Sequence, residues 1–108
     1  MYSCEGTTCR MTRGDNAIFK MDFTRPDGTT YRPGPGQELR FRIKPSAGSE
    51  TILLDRPEVC DGRFYILAED TADWLYGSYA YEIVQVTDGV EEILFGPYVF
   101  KVEQEVTY

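Results

Sequence analysis

The 108-residue sequence contains no histidine, and its three cysteines are Cys4, Cys9 and Cys60. Without histidine, the Ser/His/Asp and Cys/His arrangements of nucleophilic catalysis are excluded. No C-x-x-C pair occurs, so the ligand pattern of a structural zinc site is missing. Neither a glycine-rich dinucleotide loop nor a P-loop is present. We therefore expect no enzymatic activity, no catalytic residues, no cofactor and no metal.

Long apolar runs are also missing from the sequence. No stretch approaches the roughly 20 apolar residues of a transmembrane helix, and the residues before Gly6 lack the apolar core of a signal peptide. The 11 basic residues are interleaved with 18 acidic ones, and the net charge is −7. A nucleic acid or an anionic membrane attracts a dense basic patch, so neither is an expected partner. The expected place of synthesis is a cytoplasm.

The odd number of cysteines argues against a closed disulfide framework. Cys4 and Cys9 are close enough in sequence to form a bridge. Cys4, however, lies in a polar N-terminal segment, residues 1–8, for which we predict flexibility. Free thiols are the expected state in a reducing compartment, and a Cys4–Cys9 bond remains the alternative.

What the sequence does contain is a series of short alternating strands. In the clearest of them, 37–44, Leu39, Phe41 and Ile43 fall on one face and charged side chains on the other. This period of two is typical of a half-buried strand. Other strands are predicted over 9–12, 16–23, 51–54, 62–68, 79–86, 90–95 and 97–106. Apolar residues on both faces of 79–86 indicate a central strand.

Turn signals separate the predicted strands. The segments 13–16, 26–28 and 87–89 contain the residue types that turns favour. The Gly96-Pro97 pair predicts a break or a bulge. One helical turn is predicted over 70–75, with Asp70 or Thr71 as its cap.

The predicted fold class is all-β, an immunoglobulin-like antiparallel β-sandwich of seven to nine strands. The segment 31–36 contains two prolines, which cannot donate to a central ladder, and it is predicted to cross between the sheets. One sandwich domain is expected over 9–108. A small closed barrel is the structural alternative.

Several short motifs occur in a fixed order along the chain: Met11-Thr12-Arg13-Gly14-Asp15-Asn16, Pro26-Asp27-Gly28, Phe41-Arg42-Ile43-Lys44, Asp70-Thr71-Ala72 and Glu105-Val106-Thr107. This order resembles that of the small β-sandwich structural proteins of tailed phages and prophages, including the N-terminal domain of the phage baseplate upper protein. The resemblance implies a virion protein of the baseplate, tail or head, without enzymatic activity. Its partners would be copies of itself or other phage structural proteins. It would be made in the cytoplasm of a bacterial host and then incorporated into the virion.

This chain departs from the baseplate upper protein in one respect. The sequence given stops at Tyr108, so the receptor-binding-protein adaptor domain of that protein would be missing. The resemblance therefore favours a structural or accessory role in the virion over the specific baseplate role.

Aromatic side chains suggest an alternative function, a carbohydrate- or receptor-binding module with a host surface glycan as ligand. Trp74, Tyr76, Tyr79, Tyr81 and Tyr98 are expected to lie near one another if the strands pair as predicted. Exposed rings of this kind can stack on sugars, whereas buried ones form the core of a small domain. The core interpretation applies first to Trp74, Tyr79 and Tyr81.

The candidate residues for binding or for an interface are Trp74, Tyr76, Tyr98 and Phe100. For assembly, the strands over 97–106 and 37–44 are the expected oligomer edges, because a sandwich must protect or pair its edge strands.

Three acidic or adhesive motifs have simpler structural interpretations. The tripeptide Arg13-Gly14-Asp15 is that of integrin ligands, but here it serves as a turn. Glu91 and Glu92 are neighbours on a strand and point to opposite faces, so they cannot form the facing pair of a glycosidase. The acidic cluster at 69–73 is better explained by helix capping than by a calcium site.

Overall fold

The computed structural model describes residues 1–60 and 62–104, which form eight strands and one helical turn. Their bounds are Tyr2–Glu5 (β1), Thr8–Thr12 (β2), Ala17–Lys20 (β3), Gln37–Lys44 (β4), Leu54–Pro57 (β5), Arg63–Ile66 (β6), Ala68–Thr71 (α1), Gly77–Thr87 (β7) and Val90–Glu103 (β8). Six strands form one sheet in the order β1-β2-β8-β7-β4-β5, and β3 pairs with β6 in a second. The all-β, sandwich-like fold class is confirmed, with a strand number in the predicted range.

The large sheet is mixed, so the prediction of a wholly antiparallel fold is wrong for one pair of strands. β2 runs parallel to β8, from Cys9 opposite Phe100 to Thr12 opposite Glu103. Parallel pairing requires a long connection between the two strands, and here residues 13–89, most of the chain, lie between them. The N-terminal hairpin of β1 and β2 therefore attaches beside the last strand.

The core lies between the two sheets and is built around Phe41, which has no exposed surface. Its ring lies 5.6 Å from Phe64 and 5.3 Å from Tyr81, measured between centroids. The ring centroids of Phe19 and Phe100 lie 6.1 and 6.2 Å, respectively, from that of Phe41. Both sheets thus contribute rings to one cluster, as the alternation of apolar residues in β3, β4 and β7 requires.

The long hairpin of β7 and β8 follows the predicted turn. Asp88 and Gly89 both have positive φ, 48° and 84°, which suits the two-residue turns that join twisted antiparallel strands. β7 lies between β4 and β8, so the prediction of a central strand is confirmed. β8 passes through Gly96 and a cis Pro97 as one strand, with register shifts between Tyr81 and Val84 of its partner.

Two elements lie a few residues away from their predicted positions. β5 begins at Leu54, where the predicted strand ends, and it includes Pro57. Proline is tolerated there because β5 is an edge strand of its sheet. The helical turn spans Ala68–Thr71, where the backbone N–H of Leu67 donates to Asp70 Oδ2 at 2.7 Å.

The cysteines form a bond that the preferred prediction missed. Cys4 and Cys9 are joined by a disulfide, and Cys60 is free and exposed. Cys4 lies directly opposite Cys9 in the pairing of β1 with β2, with the Cα atoms 4.1 Å apart. Gly6 and Thr7 form the two-residue connection of this hairpin, so the spacing of the cysteines places them face to face. The segment predicted to be flexible contains β1, whose side chains are all exposed.

Among the described residues, no helix has the length and apolar content that a membrane crossing requires.

Candidate functional site

The first candidate surface is an unpaired stretch of β8. β8 is 14 residues long, and β2, its neighbour on one side, is 5 residues long. β2 pairs with Phe100–Glu103 alone, whereas β7 pairs with the other side of β8 almost throughout. Among residues 1–60 and 62–104, no strand pairs with the outer side of 90–98. We call this stretch the open edge.

The open edge carries exposed apolar side chains. Val90 is 70% exposed, Ile93 53%, and Phe95 and Tyr98 36% each. An apolar strand with unpaired backbone groups is a template for pairing with another chain. Charged residues usually blunt such an edge, but Glu91, one of the two acids here, is already bound by Arg42.

The outer face of the large sheet beside the open edge is covered by ion pairs. Arg42 donates two hydrogen bonds to Glu91, of 2.9 and 2.8 Å, and it also pairs with Asp55. Lys44 pairs with the buried Glu82 at 3.2 Å. The hydrogen bonds to Glu91 raise the pKa of Arg42, and those same bonds lower the pKa of Glu91. This face is therefore polar and internally neutralised, in contrast to the apolar open edge.

The ion pair between Arg42 and Glu91 predicts a pH effect on stability. The pKa of Glu91 is lowered in the folded protein, first by the hydrogen bonds from Arg42. The pair therefore stabilises the fold above the ordinary carboxyl pKa of about 4.3, and this contribution is lost as the pH falls through the lower, folded pKa. Between about pH 6 and about pH 3, we expect the melting temperature of Glu91→Gln to fall less than that of the wild type. Glu92→Gln is the control and should keep the wild-type profile, and coincident profiles of Glu91→Gln and wild type would contradict the prediction.

The second candidate surface is a pocket of about 290 Å³ that adjoins the open edge. The turn of the N-terminal hairpin, the chain after β3 and part of β8 surround it. Its lining residues are Cys4, Gly6, Thr7, Cys9, Lys20, Met21, Asp22, Phe23, Tyr81, Ile83, Phe95 and Tyr98. We call it the hairpin pocket.

Aromatic rings form much of the hairpin pocket. Phe23 stacks on Phe95 with 5.0 Å between the ring centroids, and Tyr81 lies 5.8 Å from Tyr98. The Tyr81 hydroxyl donates to the carbonyl oxygen of Thr7 at 2.6 Å. Burial is the main reason why the pKa of Tyr81 is raised. Burial therefore favours the neutral phenol, which is the form that donates this hydrogen bond to the hairpin turn.

The four candidate residues from the sequence do not form one site. Phe100 is fully buried in the core and presents no surface to a partner. Trp74 is partly buried and packs on Tyr79, with 5.1 Å between centroids. The exposed ring of Tyr76 lies under the Arg13 guanidinium at 4.3 Å. Of the four, only Tyr98 belongs to both the open edge and the hairpin pocket.

Of the two predicted oligomer edges, 37–44 is wrong and 97–106 is wrong from Phe100 to Glu103, whereas residues 97 and 98 belong to the open edge. β4 (Gln37–Lys44) has β5 on one side and β7 on the other. The part of the 97–106 strand from Phe100 to Glu103 lies between β2 and β7, and residues 105 and 106 fall outside the described residues.

Val90, Ile93 and Phe95 were missed as surface residues. The signal that could have revealed them is the short predicted strand 9–12, which cannot cover the long final hairpin.

The described residues contain no group of three or more His, Cys, Asp or Glu side chains that could hold a metal ion. No protein-family model, no curated protein and no solved structure matches the chain.

Proposed function

We propose that this protein is a non-enzymatic structural or accessory component of a phage or prophage virion, and that its copies assemble through the open edge at 90–98. The virion role rests on the resemblance in the order of the sequence motifs. The mode of assembly rests on one observation, the unpaired apolar stretch of β8.

Strand addition is the contact that this edge favours. A second chain pairing with 90–98 would satisfy the outward backbone groups and extend the six-stranded sheet. Pairing would also remove water from Val90, Ile93 and Phe95, whose apolar surface favours association. The hydrogen bonds from Arg42 to Glu91 reduce the acidic repulsion between two such edges.

Size-exclusion chromatography with light scattering tests this proposal. We expect the wild type to form a discrete oligomer and the double variant Val90→Lys/Ile93→Lys to be a monomer. Both side chains are exposed, so the variant should fold normally. The two lysines also reduce the net charge of −7, so general charge repulsion would not explain a loss of assembly.

Ile52→Lys is the matched control, because Ile52 is an exposed apolar residue of comparable accessibility, 43%, on the connection between β4 and β5. This variant should remain an oligomer. A wild type that stays monomeric at high concentration would overturn the proposal. An oligomer unaffected by the Val90 and Ile93 substitutions would overturn the assigned edge.

A further inference from the structure

We propose that the hairpin pocket binds a single neutral pyranose, the terminal sugar of a glycan. This binding function goes beyond assembly and does not depend on it. The occupant is inferred from three properties of the pocket: its aromatic walls, the mixed polar groups at its rim and its size.

The aromatic walls match the apolar face of a sugar ring. Tyr98 and Phe95 are each about one-third exposed, and both line the pocket. Tyr81 and Phe23 are buried behind them and pack against Tyr98 and Phe95, respectively. A pyranose presents C–H groups on one face, which can pack on an exposed ring while the hydroxyls remain at the edge.

The polar groups of the rim suit hydroxyls, which both donate and accept hydrogen bonds. Lys20 supplies a donor and Asp22 an acceptor, and both are exposed at the end of β3. Among the described lining residues the charged groups are one cation and one carboxylate, which do not make an anion site, so a phosphate or a polyanion is disfavoured. A neutral ligand with several hydroxyls fits this pair.

The size and the rigidity of the pocket point to one sugar. Its volume of about 290 Å³ is at the lower limit for small-molecule sites. The turn that forms one wall is held by the Cys4–Cys9 disulfide and by the hydrogen bond from Tyr81 to Thr7. A wall that is already ordered loses little entropy when a ligand binds, which favours binding even with few contacts.

An NMR titration tests the inference with three probes: methyl α-glucoside, methyl β-galactoside and N-acetylglucosamine. The Val90→Lys/Ile93→Lys chain is used, because neither residue lines the pocket and assembly then plays no part. Concentrations on the order of tens of millimolar suit the weak binding of one sugar. We expect at least one probe to shift the backbone amides of Gly6, Thr7, Asp22 and Tyr98.

Variants then assign the contact. Tyr98→Ala should weaken binding about tenfold through loss of the stacking surface, whereas Tyr98→Phe should retain most of it. Tyr76→Ala is the matched control, since Tyr76 is an exposed tyrosine outside the pocket, and it should bind like the unsubstituted chain. If Tyr98→Ala does not fold, Asp22→Ala at the exposed rim provides the same test with a smaller expected loss.

Two results would overturn the inference. The first is the absence of pocket shifts with all three probes. The second is unchanged binding by the folded Tyr98→Ala or Asp22→Ala variant. Because the titration uses the assembly-deficient chain, failure here leaves the test of the open edge unaffected.

Discussion

Phe41→Ala is expected to lower the free energy of unfolding by about 4 kcal/mol, the usual range for a buried phenylalanine being about 3–5 kcal/mol. Phe41 is fully buried and its ring contacts the rings of Phe19, Phe64, Tyr81 and Phe100. These neighbours belong to four strands in two sheets. They cannot all move inward to fill the space, so a cavity should remain in the core.

Urea denaturation of both proteins measures this effect. Ile18→Ala is the control, because Ile18 is an apolar residue on β3 that is 45% exposed. This variant should lower the free energy of unfolding by less than about 1 kcal/mol. An unchanged slope with denaturant would show that the difference is one of stability. A loss below about 1 kcal/mol for Phe41→Ala would contradict the packing described for the core.

Gly62→Ala is expected to destabilise the protein by more than about 2 kcal/mol. Gly62 has a φ of +76°, and a Cβ built on it would lie 2.1 Å from the carbonyl oxygen of Met21. The left-handed backbone alone costs an L-residue about 1–2 kcal/mol. The clash adds to this, because backbone rather than a flexible side chain must move.

Gly28→Ala separates the two contributions. Gly28 has a similar φ of +88°, but no atom of the described residues, apart from its chain neighbours, lies within 4 Å of the built Cβ. Gly28→Ala should therefore lower the free energy of unfolding by about 1–2 kcal/mol, the cost of the left-handed backbone alone. Thermal or urea unfolding of both variants gives the comparison, and equal losses at the two positions would mean that the approach of Gly62 to Met21 is not rigid.

The close approach of Gly62 to Met21 connects the chain after β3 with the chain before β6, at one end of the small sheet. The backbone N–H of Met21 donates to the Gly62 carbonyl at 2.8 Å, and the Gly62 N–H donates to Glu58 at 2.8 Å. Met21 also lines the hairpin pocket. A substitution at Gly62 should therefore disturb the pocket wall as well as stability.

Elements with a strong local signal could be predicted from the sequence. β4 spans the predicted residues because Leu39, Phe41 and Ile43 alternate with charged residues along its whole length. The Asp88-Gly89 turn could be predicted because few residue pairs adopt positive φ at both positions. The strand predicted over 51–54 lies at Leu54–Pro57 in the structure. The prediction ended it too early because Pro57 signals a break, and the sequence does not reveal that this strand lies at an edge.

The candidate surfaces depend on long-range pairing, which the local pattern does not contain. The open edge exists because β2 pairs only with the end of β8, where the pairing begins with Cys9 opposite Phe100. The hairpin pocket combines segments near 6–7, 20–23 and 95–98, which no short motif connects. The sequence predicts both Phe100 and Tyr98 as surface aromatics. The structure shows that Phe100 is buried in the core and that Tyr98 is partly exposed.

The parallel pairing of β2 with β8 has a practical consequence for attaching reporters. The N–H of Thr12 donates to the carbonyl of Met1, and that of Arg13 donates to the carbonyl of Glu103. The start of the chain and residue 103 therefore lie at the same end of the molecule. Val90 begins the same strand, on the order of 40 Å away along its length. A fluorophore or a tether attached close to Met1 would thus leave that far end free to meet a neighbour.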